Sequence, residues 1–330
     1  MKQPLETLVP GAADPQADAP AAKAGDIVAA LVADFAARRP VRAGSVIVTV
    51  FGDAIAPRGG EAAVGSLLPL LESLGINGSQ VRTALSRLAA NDWFDRHPVG
   101  RRSFYGLSSL GRRRFQEATR RIYGGPPRGW SDDWHLVLIP GGNNGGRDGL
   151  RKQLGWLGFG ELAPNALIHP GPDLVALASI LEALPPSERP LVIAGKSLPG
   201  SRPAALRRLV EDCWDLAVLA GDYEAFCLRF APLADALERE GTIAPLQAMQ
   251  GRILLIHDYR RLILRDPLLP PDLLPEDWIG WRAYSLTAAI YRGLLGPSES
   301  WLDAEAVDRD GSLPPPSPDF RERFPDTRGL

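Results

Sequence analysis

The sequence predicts an α+β multidomain protein: an N-terminal winged helix-turn-helix, a small central α/β domain and a C-terminal helical domain. Three observations carry this. Between Glu61 and Leu107 two helical apolar patterns meet across a glycine-containing turn, and two short alternating strands follow them. From Trp134 to Ala194, strand-type and helix-type segments alternate. From Ala204 onward, apolar residues recur mainly at helical spacing. The implied divisions are a disordered tail over 1–24, the winged helix over 25–123, the α/β domain over 130–200, the helical domain over 204–303 and a flexible tail over 304–330.

Taken in order, residues 1–24 are rich in Ala, Pro and Gln and lack the apolar mass to fold. Asp26 to Arg39 carries Ile27, Leu31, Val32 and Phe35 at helical spacing. Ser45 to Ile55 reads as a second helix despite its β-branched VIVTVF run, because no pairing strand follows, and it stops at AIAPRGG. Glu61 to Leu74 repeats Val64, Leu67, Leu68 and Leu71, with Gly75 placed to close the helix. Asn77 or Ser79 can cap the next helix, Gln80 to Asn91. Its inward stripe is Val81, Leu85, Leu88 and Ala89, while Gln80, Arg82, Thr83, Ser86 and Arg87 form an outward face without an acid. Trp93 to His97 and Ser103 to Leu107 read as a hairpin joined through PVGRR, with Arg101 and Arg102 near its tip. The helix from Leu110 to Tyr123 holds five arginines, and IYGGPPRGW links it to the next domain.

In the α/β segment, WHLVLIP is a strand and GGNNGGRDG a mobile loop. A helix around Leu150 to Leu157, a strand near Ala166 to His169, a helix from Leu174 to Leu184 and a strand at Leu191 to Ala194 complete it. Beyond Ala204 the helices are Leu206 to Leu237, broken near Gly221, then Leu246 to Arg265 and Ile279 to Leu295.

The net charge of −2 hides a segregation. Residues 41–123 hold 12 arginines, no lysine and 6 acids, a net of +6, whereas 1–40 carry −1 and 124–330 carry −7. A basic module on an acidic body suits a polyanion partner for that module alone. A helix of this kind fits the major groove, and side chains on its first turns reach base edges. The sequence therefore assigns double-stranded DNA to Gln80, Arg82, Thr83, Ser86 and Arg87, with Arg101 and Arg102 on phosphates or the adjacent minor groove, and Arg112 to Arg114 as an optional extension.

Other classes fail on their motifs. No apolar run of about 18 residues or signal-peptide core occurs, which makes a soluble cytoplasmic protein without membrane contact the default. Cys213 and Cys227 read as buried free thiols, and His97, His135, His169 and His257 lack ligand spacing, so no metal or cofactor is expected. The GKS at Gly195 has Pro190 where a P-loop needs glycine, and GxSxG is absent. In QGRILLIHDYRRLILRD, the residues His257, Asp258, Arg261 and Arg265 share a face; they either form an ion-pair network, Asp258 with Arg261, or line a pocket for an anionic ligand. Trp278 and Trp281 lie nearby in sequence, as core or as a stacking surface.

Four stretches carry a family resemblance: FGDAIAPRGGEAAVGSLLPLLESLGINGSQVRTALSRLAANDWF, GRRSFYGLSSLGRR, LGWLGFGELAP and HDYRRLILRDPLLPPDLLPEDWIG. They resemble the PaaX family of bacterial transcriptional regulators, repressors of phenylacetic acid catabolic genes, and the resemblance covers about residues 43 to 295. The resemblance implies a winged helix, a central ferredoxin-like (Cas2-like) α/β domain and a C-terminal helical domain. It implies no enzyme activity, a homodimer on a palindromic operator, and release by a CoA thioester such as phenylacetyl-CoA. Carried over, the DNA face falls on Arg82, Thr83, Arg87, Arg101 and Arg102; no short family motif fixes the effector site, which is assigned to His257, Tyr259, Arg260, Arg261 and Arg265 of the HDYRRLILRD stretch, whose other reading is architectural. Two rival readings are a Cas2-like metal-dependent nuclease using Asp132 and Asp133, and a winged helix that binds a protein partner.

Overall fold

The computed structural model describes residues 22–38, 42–127, 129–139, 144–197 and 203–325; nearly all of the tail expected over 1–24 lies outside them. Helix α1 (Ala24–Ala37) turns Val28, Leu31 and Phe35 inward. Helix α2 (Ala43–Val50) runs on through a π turn at Phe51–Ile55 and a 3₁₀ turn at Ala56–Arg58. Gly59 and Gly60 then adopt positive φ, which ends the helix. β1 (Glu61–Ala63), α3 (Val64–Ser73), α4 (Gly78–Ala90), β2 (Phe94–Val99), β3 (Arg102–Leu107) and α5 (Ser109–Tyr123) follow.

Glu61 to Ala63 therefore departs from the helix expected there. Those residues pair antiparallel with β3, Glu61 opposite Gly106 and Ala63 opposite Phe104, in a sheet ordered β1-β3-β2. Three residues are too few to show a period of two, and their partner lies more than forty positions away.

The central domain comprises β4 (Asp133–Leu138), α6 (Asn144–Trp156), β5 (Gly160–Ala163), β6 (Ala166–His169), α7 (Leu174–Glu182) and β7 (Leu191–Lys196). All pairings are antiparallel and the strand order is β5-β6-β4-β7, the βαββαβ topology of the ferredoxin-like fold. Two corrections apply. β5 is an additional strand, and α6 begins at Asn144 inside the stretch read as a mobile loop, of which 141–143 lie outside the described residues. One sheet face buries Val137 and Leu167 against Leu150, Leu154 and Leu177. The other buries Trp134 and Ile168 against Val210, Trp214, Leu269 and Leu273.

The remaining helices are α8 (Pro203–Cys213), α9 (Leu216–Glu240), α10 (Pro245–Ile263) and α11 (Ile279–Glu305). The break expected at Gly221 falls instead at Trp214 and Asp215. There the Trp214 indole donates to the Gly158 carbonyl at 2.8 Å, and Asp215 caps α9 by accepting from Val218 N at 3.2 Å. Helix α10 is buried almost all round, between α1, α2, α9 and α11. One apolar core thus runs without interruption from Ala24 to Phe324 and joins the first and last thirds of the chain.

Of the tail expected to be flexible over 304–330, residues 304–325 are among those described, and they pack onto the rest of the chain. Leu313, Phe320 and Phe324 are buried, and the prolines hold an extended path that lays these anchors on the N-terminal module. Among the described residues, no helix is long and apolar enough to cross a membrane.

A buried ionic cluster, absent from the sequence reading, closes the joint. Asp53, 1% exposed, sits in the π turn and accepts from Arg252 Nε of α10 at 2.7 Å, from Tyr123 Oη of α5 at 2.7 Å and from Tyr291 Oη of α11 at 3.0 Å. Arg252, fully buried, also donates to Glu299 at 2.6 Å. Arg58 bonds Glu299 at 3.1 Å and pairs with Asp303. The cluster leaves each of its buried charges partnered, the condition under which such charges are tolerated.

Candidate nucleic-acid interface

Helix α4 is held at both ends of the turn before it. Gly75, φ +79°, follows α3 and donates to the Glu72 carbonyl at 2.9 Å, while Ile76 N reaches the Leu71 carbonyl at 3.0 Å. This is a Schellman closure, with Ile76 and Leu71 both buried beside it. Asn77 then caps α4: its Oδ1 accepts from Ser79 N at 3.1 Å and Gln80 N at 3.0 Å, and Gln80 Oε1 accepts from Asn77 N at 3.0 Å. Val81, Ala84 and Leu85 face the core, and Leu88 and Ala89 are half-buried.

The hairpin is longer than expected. Val99 pairs with Arg102, which leaves Gly100 and Arg101 as a two-residue loop, with Gly100 at φ +58° as the tight connection demands. Pro98 is accommodated because β2 is an edge strand.

Between the start of α3, the outer face of α4 and this hairpin lies a groove of about 770 Å³. Arg82, Arg96, Arg101 and Arg102 line it with Ser86 and Ser103, and no acid is among its walls. Among the described residues none of the four arginines has an ion-pair partner, although Arg96 Nη2 donates to Ser103 Oγ at 3.2 Å. Concentrated positive charge with an apolar floor of Leu85 and Ala89 suits a phosphodiester backbone beside base edges.

The sequence-predicted residues divide plainly. Arg82, Ser86, Arg101 and Arg102 meet in the groove; Thr83 and Arg87 are exposed on α4 but lie outside its walls; Gln80 is engaged in the helix cap. Arg96, exposed on β2, joins them in the groove; alternation from buried Phe94 would place it on the inner face, so the sequence gives no signal for it. Of the optional arginines, Arg114 lies 4.8 Å over the Trp93 ring and donates to the Asn91 carbonyl at 3.4 Å.

The residues of α10 point in several directions. His257 Nδ1 is 3.1 Å from Thr49 Oγ1, and its ring meets Phe35 edge-on. Tyr259 packs on Phe226 and Phe324. Arg260 donates to Ser45 O at 2.9 Å and Oγ at 2.7 Å, and its burial lowers its pKa to about 10. Arg261 is exposed, and Arg265 pairs with Asp222 at 2.6 Å. Asp258 pairs with Arg229 at 3.4 Å and Arg38 at 3.6 Å rather than forming the expected bridge to Arg261. His257, Asp258, Tyr259, Arg260 and Arg265 fasten this segment to α1, α2 and α9.

Burial pushes the pKa of His257 down to about 3, aided by Arg260 and Arg261, and that of His169 down to about 4. Both remain neutral in the fold, while in the unfolded chain they take up protons near pH 6.5. Their stabilisation is therefore complete above pH 6.5 and is lost as pH falls toward 4 and 3, by about 1.4 kcal/mol per pH unit for each. Asp258 and Asp266, raised by burial, oppose this trend. Urea unfolding of wild type and variant at pH 7.5 and 5.5 tests the His257 contribution: His257→Gln should lose less stability over this interval than wild type. Equal losses would contradict a neutral, buried His257.

Asp133, proposed for metal chemistry, is engaged by Ser131 and by Lys196 at 3.6 Å. Among the described residues, no group of three or more His, Cys, Asp or Glu side chains has the arrangement to hold a metal ion.

Comparison with known proteins gives a consistent picture. Residues 42–111 match the family model for PaaX-like protein, 127–206 that for the PaaX protein central Cas2-like domain, and 214–304 that for the PaaX-like protein C-terminal domain. The chain is 37% identical over 286 residues to transcriptional repressor PaaX of Escherichia coli (strain K12), covering 86% of this chain and 90% of that protein. Its fold is similar to the solved structure of Rv0674 from Mycobacterium tuberculosis, with a TM-score of 0.50 and 20% identity over 78% of this chain and 96% of that one.

Proposed function

This chain belongs to the PaaX family, and from that premise we propose that it is a DNA-binding transcriptional repressor whose residues 25–123 act as a winged-helix domain. The observation that carries the mode of binding is the acid-free groove in which Arg82 of α4 and Arg96, Arg101 and Arg102 of the hairpin converge. In this reading α4 enters the major groove, Arg82 and Ser86 near its N-terminal half face base edges, and Thr83 and Arg87 meet the flanking backbone. The hairpin arginines lie on phosphates or in the adjacent minor groove. A homodimer presents two such helices to a palindromic operator, with half-sites a whole number of turns apart.

The regulated genes are those of phenylacetate-type aromatic catabolism, and a CoA thioester such as phenylacetyl-CoA is the releasing effector. Such a ligand acts only by binding more tightly to the arrangement in which the two α4 helices do not match the operator. Family membership supports a regulatory role over the nuclease reading, and the engagement of Asp133 by Ser131 and Lys196 points the same way.

Fluorescence anisotropy on DNA from the protein's own upstream region tests this reading. Specific binding should be reversed by phenylacetyl-CoA and not by free phenylacetate. Specific binding that the ester leaves unchanged would discard this effector, and equal affinity for scrambled DNA would discard the operator reading.

A further inference from the structure

We infer that residues 306–325 form a strap that sets the orientation of the DNA-reading module on the C-terminal helices, with Arg323 as its positioning residue. The inference rests on the proposed binding of a two-fold operator. After α11 ends at Glu305 the chain crosses back onto the N-terminal module and touches it at several points. The Val307 carbonyl accepts from Ala63 N at 2.8 Å, on the free edge of β1, and Val307 itself forms part of the groove wall. Arg309 Nε donates to Glu61 at 2.5 Å, and the same carboxylate lies 3.8 Å from His97 of the hairpin. Arg58 Nε donates to the Pro314 carbonyl at 2.9 Å, and Ser317 N to the Pro57 carbonyl at 2.8 Å. Phe324 N donates to the Tyr123 carbonyl at 3.0 Å, at the far end of α5.

Arg323 locks this path to the ionic cluster. Its Nη1 donates to Asp53 O at 2.7 Å, Asp53 Oδ1 at 3.1 Å and Tyr291 Oη at 2.9 Å, and its Nη2 to Gly52 O at 3.2 Å. The guanidinium lies 4.0 Å from the centre of the Tyr123 ring. One side chain of the last segment therefore joins the π turn after α2, the end of α5 and the middle of α11.

A rigid joint has a specific consequence for a protein that reads two half-sites. When both modules are held at one separation and tilt, the second contact follows the first at little further cost, and only operators of matching spacing benefit. Loosened modules still read a half-site but lose that discrimination. This distinguishes positioning from simple support of the fold, which would weaken half-site and full-site binding alike.

The test uses the full chain and three duplexes: a half-site, the full operator, and the operator with about five base pairs, half a turn, inserted at its centre. Wild type should prefer the full operator and lose that preference on insertion. Arg323→Ala should keep its half-site Kd within about two-fold, lose at least ten-fold of the full-site preference and tolerate the insertion, whereas Arg323→Lys should recover part of the preference. Arg309→Ala, which removes an exposed ion pair and leaves the core intact, should shift the same ratio about three-fold and decides the matter if Arg323→Ala does not fold. Wild-type discrimination in the folded variants, or parallel loss on half and full sites, would overturn the strap. A wild type that binds specifically but has no full-site preference would overturn it together with the two-fold reading, and a wild type without specific binding would overturn the DNA reading itself.

Discussion

Arg82→Ala and Arg102→Ala are expected to weaken operator binding by roughly 100- to 1000-fold when combined, and to do so by separable routes. Arg82 lies on the first turns of α4, capped by Asn77 and therefore rigid in aim. Its removal should cost about 1–3 kcal/mol on the operator and far less on random DNA, because a base-edge contact carries sequence information. Arg102 lies at the mouth of the hairpin opposite Val99. Its removal should weaken both DNAs similarly and reduce the slope of log affinity against log salt by about 0.9, the signature of one lost phosphate contact. Titrations at three or more salt concentrations on both DNAs check this. Variants indistinguishable from wild type would remove the groove from DNA binding.

Asp53→Ala should destabilise the chain by about 3–5 kcal/mol, since it strands Arg252 and Arg323 in the core without their shared anion. Replacing both members, as in Asp53→Leu with Arg252→Met, should recover part of that loss, because apolar side chains of similar volume need no ionic partner. Denaturant unfolding of both single variants and the double variant yields the coupling energy directly. Additive losses would show that the two residues stabilise the fold independently, despite their 2.7 Å contact.

The features legible in the sequence are those set by neighbours along the chain. The apolar stripe of α4, its Asn77 cap, the Gly75 closure and the hairpin all follow from spacing and turn chemistry over a few residues. The outward arginines of α4 were visible because no acid interrupts them. Interactions between distant positions were not. Asp53 and Arg252 are 199 residues apart, and nothing local marks either as buried. LPPPSP suggests a flexible tail on composition, yet its prolines fit an extended strap whose Pro314 carbonyl and Ser317 N–H both bond the N-terminal module. Gln80 faces outward as expected, but closing the capping box occupies its side-chain oxygen, a local competition that favours the helix terminus. On α10, buried nearly all round, the polar contacts of charged residues run to distant partners, Asp258 to Arg229 and Arg260 to Ser45, which spacing along the helix does not encode.

Hydroxyl-radical footprinting of the protein's own upstream DNA tests the central claim most directly, since it reports where α4 and the hairpin lie on the duplex. Two protected segments on one face of the DNA, separated centre to centre by about 10.5 base pairs or a multiple of that, are the predicted result. Both should vanish with the Arg82→Ala, Arg102→Ala variant at the same protein concentration. Uniform protection without register, or no protection where anisotropy shows the DNA to be saturated, would contradict operator recognition through this groove.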